Sequence, residues 1–284
     1  MARRVNYLNN KDLLKEIAKS KNTYSYYLDE SYEIFDFIVP SVEDIPKHID
    51  DAKAARAKRI KDQMVEKLKS EGKSTRGKDA VHVDPNSIDE SELVFRVMTF
   101  DHIPLENRKN KPKTEADLHS KCNFPPFKHY AYIDDKLTEV TRSHWEGGID
   151  NGYFSVTHGK TSNTLGGMYI KLCERYSMRG NWRGYTYVDE MRGQALVQLS
   201  QIGLQFNEFK SQNPFAYYTA AINNSFTRVL NLEKRSQNIR DDLLEEAGLN
   251  PSHTRTFNAE WEGKEKKEIE KIRVMNAENA KSKK

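Results

Sequence analysis

The chain is poor in the features of exported and membrane-bound proteins. Only two cysteines, Cys122 and Cys173, occur in 284 residues, which rules out a disulfide framework and suits a reducing cytoplasm. No apolar run approaches the ~18–20 residues needed to cross a bilayer, and the opening MARRVNYLNN has no apolar stretch after its arginines. Membrane and secretory classes therefore fall. Apolar residues are scarce as well: the hydrophobic set is 37%, and with 14 glycines roughly 42%, below the roughly 45–50% of an ordinary domain. That supports one or two small cores but not one compact domain using the whole length. Charge of one sign is also lacking. Lys and Arg number 46 against 42 Asp and Glu, a net +4, so general attraction to phosphate is weak. The 14 Tyr, 12 Phe and 3 Trp permit nucleic-acid binding without establishing it.

Enzyme signatures are equally thin. His119-x2-Cys122 with His129 offers three metal ligands, but no second Cys pair closes a tetrahedral site. His102, His144 and His158 are scattered, with no Gly-x-Ser-x-Gly nucleophile elbow beside them. THGKTSNTLGG lacks phosphate-loop spacing, so Gly159-Lys160-Thr161 reads as a turn. Asp134-Asp135 and Asp241-Asp242 are sequence neighbours whose side chains diverge on a helix or strand. The expectation is a chain with no catalytic residues, no metal and no cofactor.

Four segments are expected. In 1–40, Asn9 or Asn10 caps a helix with an apolar face of Leu13, Leu14 and Ile17, followed by an aromatic segment ending at Pro40. Residues 41–165 form an insertion or linker. Its basic helix carries a thin stripe (Ile60, Met64, Leu68) and is either a solvated face or a phosphate-tracking arm. A strand is expected in ELVFRVMTF, short strands or extended arms in HYAYIDD and GYFSVTHGK, and a loop in KNKPKTE. Residues 166–248 form a three-helix core. Met168, Leu172, Cys173 and Tyr176 mark the first helix; Val188, Met191, Ala195, Leu199, Ile202 and Phe206 mark the second. Asn213-Pro214 starts the third, whose stripe is Phe215, Tyr218, Ile222, Phe226 and Val229, and Gly248 with Pro251 ends it. Residues 249–284 are a charged tail, of which 259–284 is a weakly patterned helix or disorder, with both chain ends expected to be mobile.

The other side of the third helix carries Tyr217, Thr219, Ala220, Asn223, Asn224, Thr227 and Arg228, then Lys234 and Arg235. A stacking ring, amides, hydroxyls and cations in that order are what single strands, base edges and phosphates require. The same pattern also describes an amphipathic helix with a polar outside. Residues 170–235 go further: GYTYVDEM (184–191), QFNEFKSQNPFAYYTAAINNSF (205–226) and EKR (233–235) resemble region 2 of bacterial RNA polymerase sigma factors, most closely the late sigma factors of T-even-like phages. NYLNNKDLL at 6–14 resembles the N-terminus of that phage family.

The resemblance implies a mainly α fold, with a sigma region-2-like helical core and an irregular α+β insertion. It implies a non-enzymatic factor in the cytoplasm of the infected bacterial host. Polymerase docking on the clamp helices of the largest subunit falls to Asp189, Glu190, Gly193, Gln194, Val197 and Gln201. Recognition and opening of a TATA-like −10 element on the non-template strand falls to Phe215, Tyr217, Thr219, Asn223, Asn224, Thr227, Arg228, Lys234 and Arg235. A late coactivator and the sliding clamp are further implied partners. The alternative is a polymerase-binding coactivator or another nucleic-acid-binding regulator that touches DNA only weakly. Three departures accompany the resemblance. Ala220-Ala221 stands where primary sigma factors carry a Trp pair, as in the phage class. The 36 residues after Gly248 are too few for a −35-reading helix-turn-helix. The end is basic, where the phage class carries an acidic–hydrophobic clamp-binding motif.

Overall fold

A computed structural model describes residues 8–72, 82–104 and 122–281. The chain forms two compact units, 1–223 and 224–284. The fold is mainly α, with six α-helices and a small mixed sheet among the described residues. None of those helices is long and apolar enough to cross a membrane. KNKPKTE and His119 lie outside the described residues, as do 1–7 and 282–284 of the two ends.

In the first unit, helix α1 (Asn10–Asn22) starts where expected, because the Asp12 amide donates to the Asn9 side chain at 2.7 Å. Leu13 and Ile17 are fully buried, while Leu14 is half-buried. Five strands follow: β1 (Ser25–Tyr27), β2 (Phe37–Val39), β3 (Val94–Met98), β4 (Phe127–Ile133) and β5 (Lys136–Ser143). They form one sheet in the order β1-β5-β4-β3-β2, antiparallel except for the parallel β2–β3 edge. Asp134 and Asp135 take φ of 50° and 58°. Two left-handed residues match the twist of a tight hairpin, so this acidic pair turns β4 into β5. The sheet joins β1 and β2 from the first forty residues to strands from 94 to 143, across the boundary expected at residue 40. A two-stranded ribbon, β6 (Trp145–Glu146) with β7 (Tyr153–Phe154), follows it.

One face of the sheet packs against helix α2 (Ile49–Ser70), through a cluster of Val39, Ile45, Leu93, Phe95 and Val97 with Ala52 and Ala57. The expected stripe on α2 is displaced: Met64 is 45% exposed, and the helix docks through its two small alanines, which allow close approach. Arg59 and Arg56 reach the buried Asp36 at 2.7 and 3.3 Å. The first half of this basic helix is thus held on the sheet by an ion-paired aspartate.

Helix α3 (Asn163–Ser177) is capped by Ser162, to which the Leu165 amide donates at 3.1 Å. Helix α4 (Val188–Ile202) buries Met191, Ala195 and Leu199 as its spacing predicts, while Val188 and Ile202 are half-buried; a short turn of 3-10 helix, Gly203–Gln205, then carries the buried Leu204, and Phe206 just after it is buried too. Helix α5 (Pro214–Glu246) is long enough to enter both units. The second unit holds its residues from 224 and helix α6 (His253–Lys281), which occupies most of the expected tail. Gly248, at φ 71°, supplies the left-handed residue between them.

Candidate functional site

The start of α5 is fastened from several sides within the first unit. The Ala216 amide donates to the Asn213 side chain at 3.0 Å, and the Phe215 amide donates to the side chain of Asn10 at 3.1 Å. The N-terminal ends of α1 and α5 therefore meet. Below them, Lys21 donates at 2.8 Å to both carboxylate oxygens of Glu208 and at 2.8 Å to the Phe206 carbonyl. Both side chains are buried. Burial alone would push the Glu208 carboxyl up, but Lys21 and Arg96 together hold it below the usual carboxylate range. This pair ties α1 to the loop leading into α5.

Tyr218 is fully buried, as expected of the core stripe. Its hydroxyl donates to the Gly203 carbonyl at 2.8 Å, and its ring meets that of Tyr169 edge-on with centroids 5.2 Å apart. Desolvation raises the Tyr169 phenol to about 12 and pushes Tyr218 up as well. Phe215 is 37% exposed, so the stripe begins effectively at Tyr218. Ile222 is buried with it, and Phe226 and Val229 continue the buried stripe beyond residue 223.

Tyr217 requires a correction. It was expected to point away from the core, with only its ring in use. Instead it is half-buried, its hydroxyl donates to the Ile202 carbonyl at 3.2 Å, and its ring sits edge-on to Phe206 with centroids 5.6 Å apart. Phe206 is the cause: it turns inward after the 3-10 turn and offers Tyr217 an aromatic neighbour. Two other residues of the set are also engaged. Thr219 donates back to the Phe215 carbonyl at 2.9 Å, and Asn223 accepts from the Tyr176 hydroxyl at 2.8 Å. In the second unit Asn224, Arg228, Lys234 and Arg235 are exposed, and Thr227 is half-buried.

The α4 set has a simpler geometry. Asp189, Glu190, Gly193, Gln194, Val197 and Gln201 are all exposed, opposite the buried Met191, Ala195 and Leu199. Val197, 52% exposed, places an apolar side chain in the middle of that polar surface. Asp189 accepts from Arg192 at 2.6 Å, and among the described residues Glu190 has no ion-pair partner. Such a surface can receive a helix of mixed polarity.

Two features carried no sequence signal. The first is a cleft of about 610 Å³ beside the start of α5, with Lys15, Phe35, Phe37, Phe209 and Gln212 in its wall. The second is the gathering of histidines. His144 lies tilted by 31° against Phe124 with ring centroids 4.0 Å apart, His158 and Phe124 both meet Tyr24 edge-on at 5.8 Å, and His102 contacts the Ser143 carbonyl at 3.0 Å. Burial lowers His102 to about 4 and His144 to about 3, and their positive neighbours add to the shift. His129 is also buried: its Nδ1 contacts the Tyr32 carbonyl at 2.8 Å, and its Nε2 accepts from Arg96 at 2.9 Å. Among the described residues, no three His, Cys, Asp or Glu side chains gather as a metal site. No family model, curated protein or solved structure matches this chain.

Proposed function

We propose that the chain is a transcription-initiation factor of the sigma type. In this reading it binds the clamp helices of the host core RNA polymerase through α4 and takes up the −10 element of phage late promoters along α5. Catalysis belongs to the polymerase. The observation that supports this best is the division of α4. Every residue the resemblance assigns to polymerase docking is exposed, while the intervening Met191, Ala195 and Leu199 are buried. The helix that follows is capped at its expected start by Asn213. Arg228, Lys234 and Arg235, all exposed, suit phosphate contacts that fix register without reading sequence. A late coactivator and the sliding clamp remain partners in this proposal.

The alternative, a polymerase-binding coactivator with weak DNA contact, draws on a different observation. Tyr217, Thr219 and Asn223 all spend polar atoms on the protein itself. One reconstitution separates the two. Core polymerase, the purified chain and a template with a TATA-like −10 element and no −35 element should yield a transcript from the promoter start. Core binding without a specific transcript would instead select the coactivator. Absence of core binding would overturn both.

A further inference from the structure

Most described arginines of the first unit are engaged within the fold. Arg56 and Arg59 hold Asp36, Arg142 holds Glu139, and Arg192 holds Asp189. Arg96 is buried between the rings of Phe35 and Phe127, 3.9 and 3.8 Å from their centroids. Among the described residues of that unit, the arginines left without a carboxylate partner are Arg175, Arg179 and Arg183. All three are exposed, and all lie on the segment that closes α3 and leads into α4. Residues 175–187 also carry Tyr176, Trp182, Tyr185 and Tyr187, and no carboxylate. Glu174 lies before them and Asp189 and Glu190 after, with Asp189 taken up by Arg192.

The segment is ordered by its own backbone. The Trp182 and Arg183 amides both donate to the Arg179 carbonyl, at 2.9 and 3.0 Å, and the Val188 amide donates to the Tyr185 carbonyl at 3.3 Å. The Arg179 guanidinium lies 4.2 Å from the centroid of the Tyr176 ring, a planar cation already seated on an aromatic face. Tyr176 in turn donates to the Asn223 side chain at 2.8 Å, so the segment abuts the polar side of α5. The half-buried Tyr185 has Trp182 on one side and Tyr187 on the other, with centroids 6.2 and 5.3 Å away.

We propose that residues 175–187 hold a single-stranded nucleic acid, with Arg175, Arg179 and Arg183 on its phosphates and Tyr185 stacked on a base. Charge and ring chemistry together select this occupant. An exposed guanidinium without an ion pair suits phosphate, which its planar fork meets with two hydrogen bonds. Rings interleaved with cations match bases strung along a charged backbone. An acidic protein surface would use the arginines and leave the rings idle. None of these residues belongs to the sets assigned above to the polymerase or the −10 element. The site therefore goes beyond the proposed function, and its test passes through no polymerase.

Fluorescence anisotropy of the full chain with a labelled oligothymidine strand of about 12 nucleotides, between about 50 and 200 mM salt, tests the proposal. The unmodified chain should bind, and more weakly as salt rises. Arg179→Gln/Arg183→Gln should lower affinity at least about tenfold and make the log–log salt slope shallower by about 1.4, or about 0.7 per lost phosphate contact. Arg179→Lys/Arg183→Lys should keep the slope. Tyr185→Ala should lose about fivefold or more in affinity at an unchanged slope, while Tyr185→Phe binds normally. Lys58→Gln/Lys61→Gln removes the same charge from exposed positions on α2 and should cost far less. No binding by the unmodified chain, an unchanged slope in Arg179→Gln/Arg183→Gln, full affinity in Tyr185→Ala or an equal loss in the lysine variant would each overturn the proposal. Arginine-dependent binding to polyglutamate in place of the strand would also overturn it, in favour of an acidic protein partner. If the double arginine variant loses helical circular dichroism, Arg183→Gln alone takes its place, with a slope change of about 0.7.

Discussion

Removing Lys21 would leave the buried Glu208 carboxylate without its ammonium partner. That ammonium satisfies both Glu208 oxygens and the Phe206 carbonyl in a site shut off from water. Lys21→Met strands a buried carboxylate, and a stability loss of about 3–5 kcal/mol is expected in chemical denaturation. Lys21→Met/Glu208→Leu should recover much of it, because replacing both charges with apolar groups removes the desolvation cost. Tyr217 makes a finer test. Tyr217→Phe removes the hydroxyl bond to Ile202 and should lower stability by about 0.5–1.5 kcal/mol. The ring alone suffices for stacking on an extruded base, so permanganate reactivity of −10 thymines should persist in Tyr217→Phe and fall in Tyr217→Ala by an amount equivalent to about 1–3 kcal/mol. Reactivity lost in Tyr217→Phe, or kept in Tyr217→Ala, removes Tyr217 from base capture.

At the scale of elements, α4 separates folding from recognition. Glu190→Lys/Gln194→Lys alters only exposed positions, so helical circular dichroism should be unchanged while affinity for core polymerase falls at least about tenfold, the equivalent of about 1.4 kcal/mol. Undiminished affinity would remove the docking role from this face. The helices were the legible part of the sequence. Met191, Ala195 and Leu199, then Tyr218, Ile222, Phe226 and Val229, keep a 3.6-residue rhythm that burial reproduces. The docking of α2 was illegible because alanine carries little hydropathy, whereas the bulkier Ile60, Met64 and Leu68 suggested another face. Strand β5 was missed because its burial alternates only weakly and its turn is Asp134-Asp135, a pair that offers no glycine to announce a hairpin. Tyr217 was misplaced by one neighbour: spacing along α5 gives its angle, but only the chain reversal at Gly203–Gln205 brings Phe206 against it. The histidines looked scattered because the sheet and the segment leading into α3 bring 102, 144 and 158 together from distant positions, with Gly159 so close to the Tyr24 ring that a Cβ would overlap it.

For the whole molecule, those imidazoles set an acid limit. His102 and His144 titrate near 4 and 3 in the fold against 6.5 when exposed, and His129 is also lowered well below 6.5. Below pH 6.5 the unfolded chain takes up protons that the folded chain refuses. Stability present above that pH therefore declines on acidification, until about pH 4 for His102 and about pH 3 for His144. The slope approaches about 1.4 kcal/mol per pH unit for each histidine. Denaturant melts between pH 7.5 and 5 should show the decline. His144→Asn should shallow it, since asparagine tolerates the left-handed φ of 53° at that position and does not titrate. A slope unchanged by that substitution assigns the acid limit to other groups.

The order of strands in the sheet also bears on synthesis. β1 and β2 are the first strands to leave the ribosome, yet they occupy the two edges; Tyr27 pairs with Thr141 and Phe37 with Phe95. At a translation rate of about 5–20 residues per second, β1 waits on the order of 5–20 s for its partner to be made. In that interval the aromatic segment between α1 and β2 has no sheet to join. The β4–β5 hairpin, closed by adjacent residues, is the part able to assemble as soon as it emerges. β2 can meet β3 before β4 and β5 are made, so β1 is the strand of this sheet that waits longest for its partner.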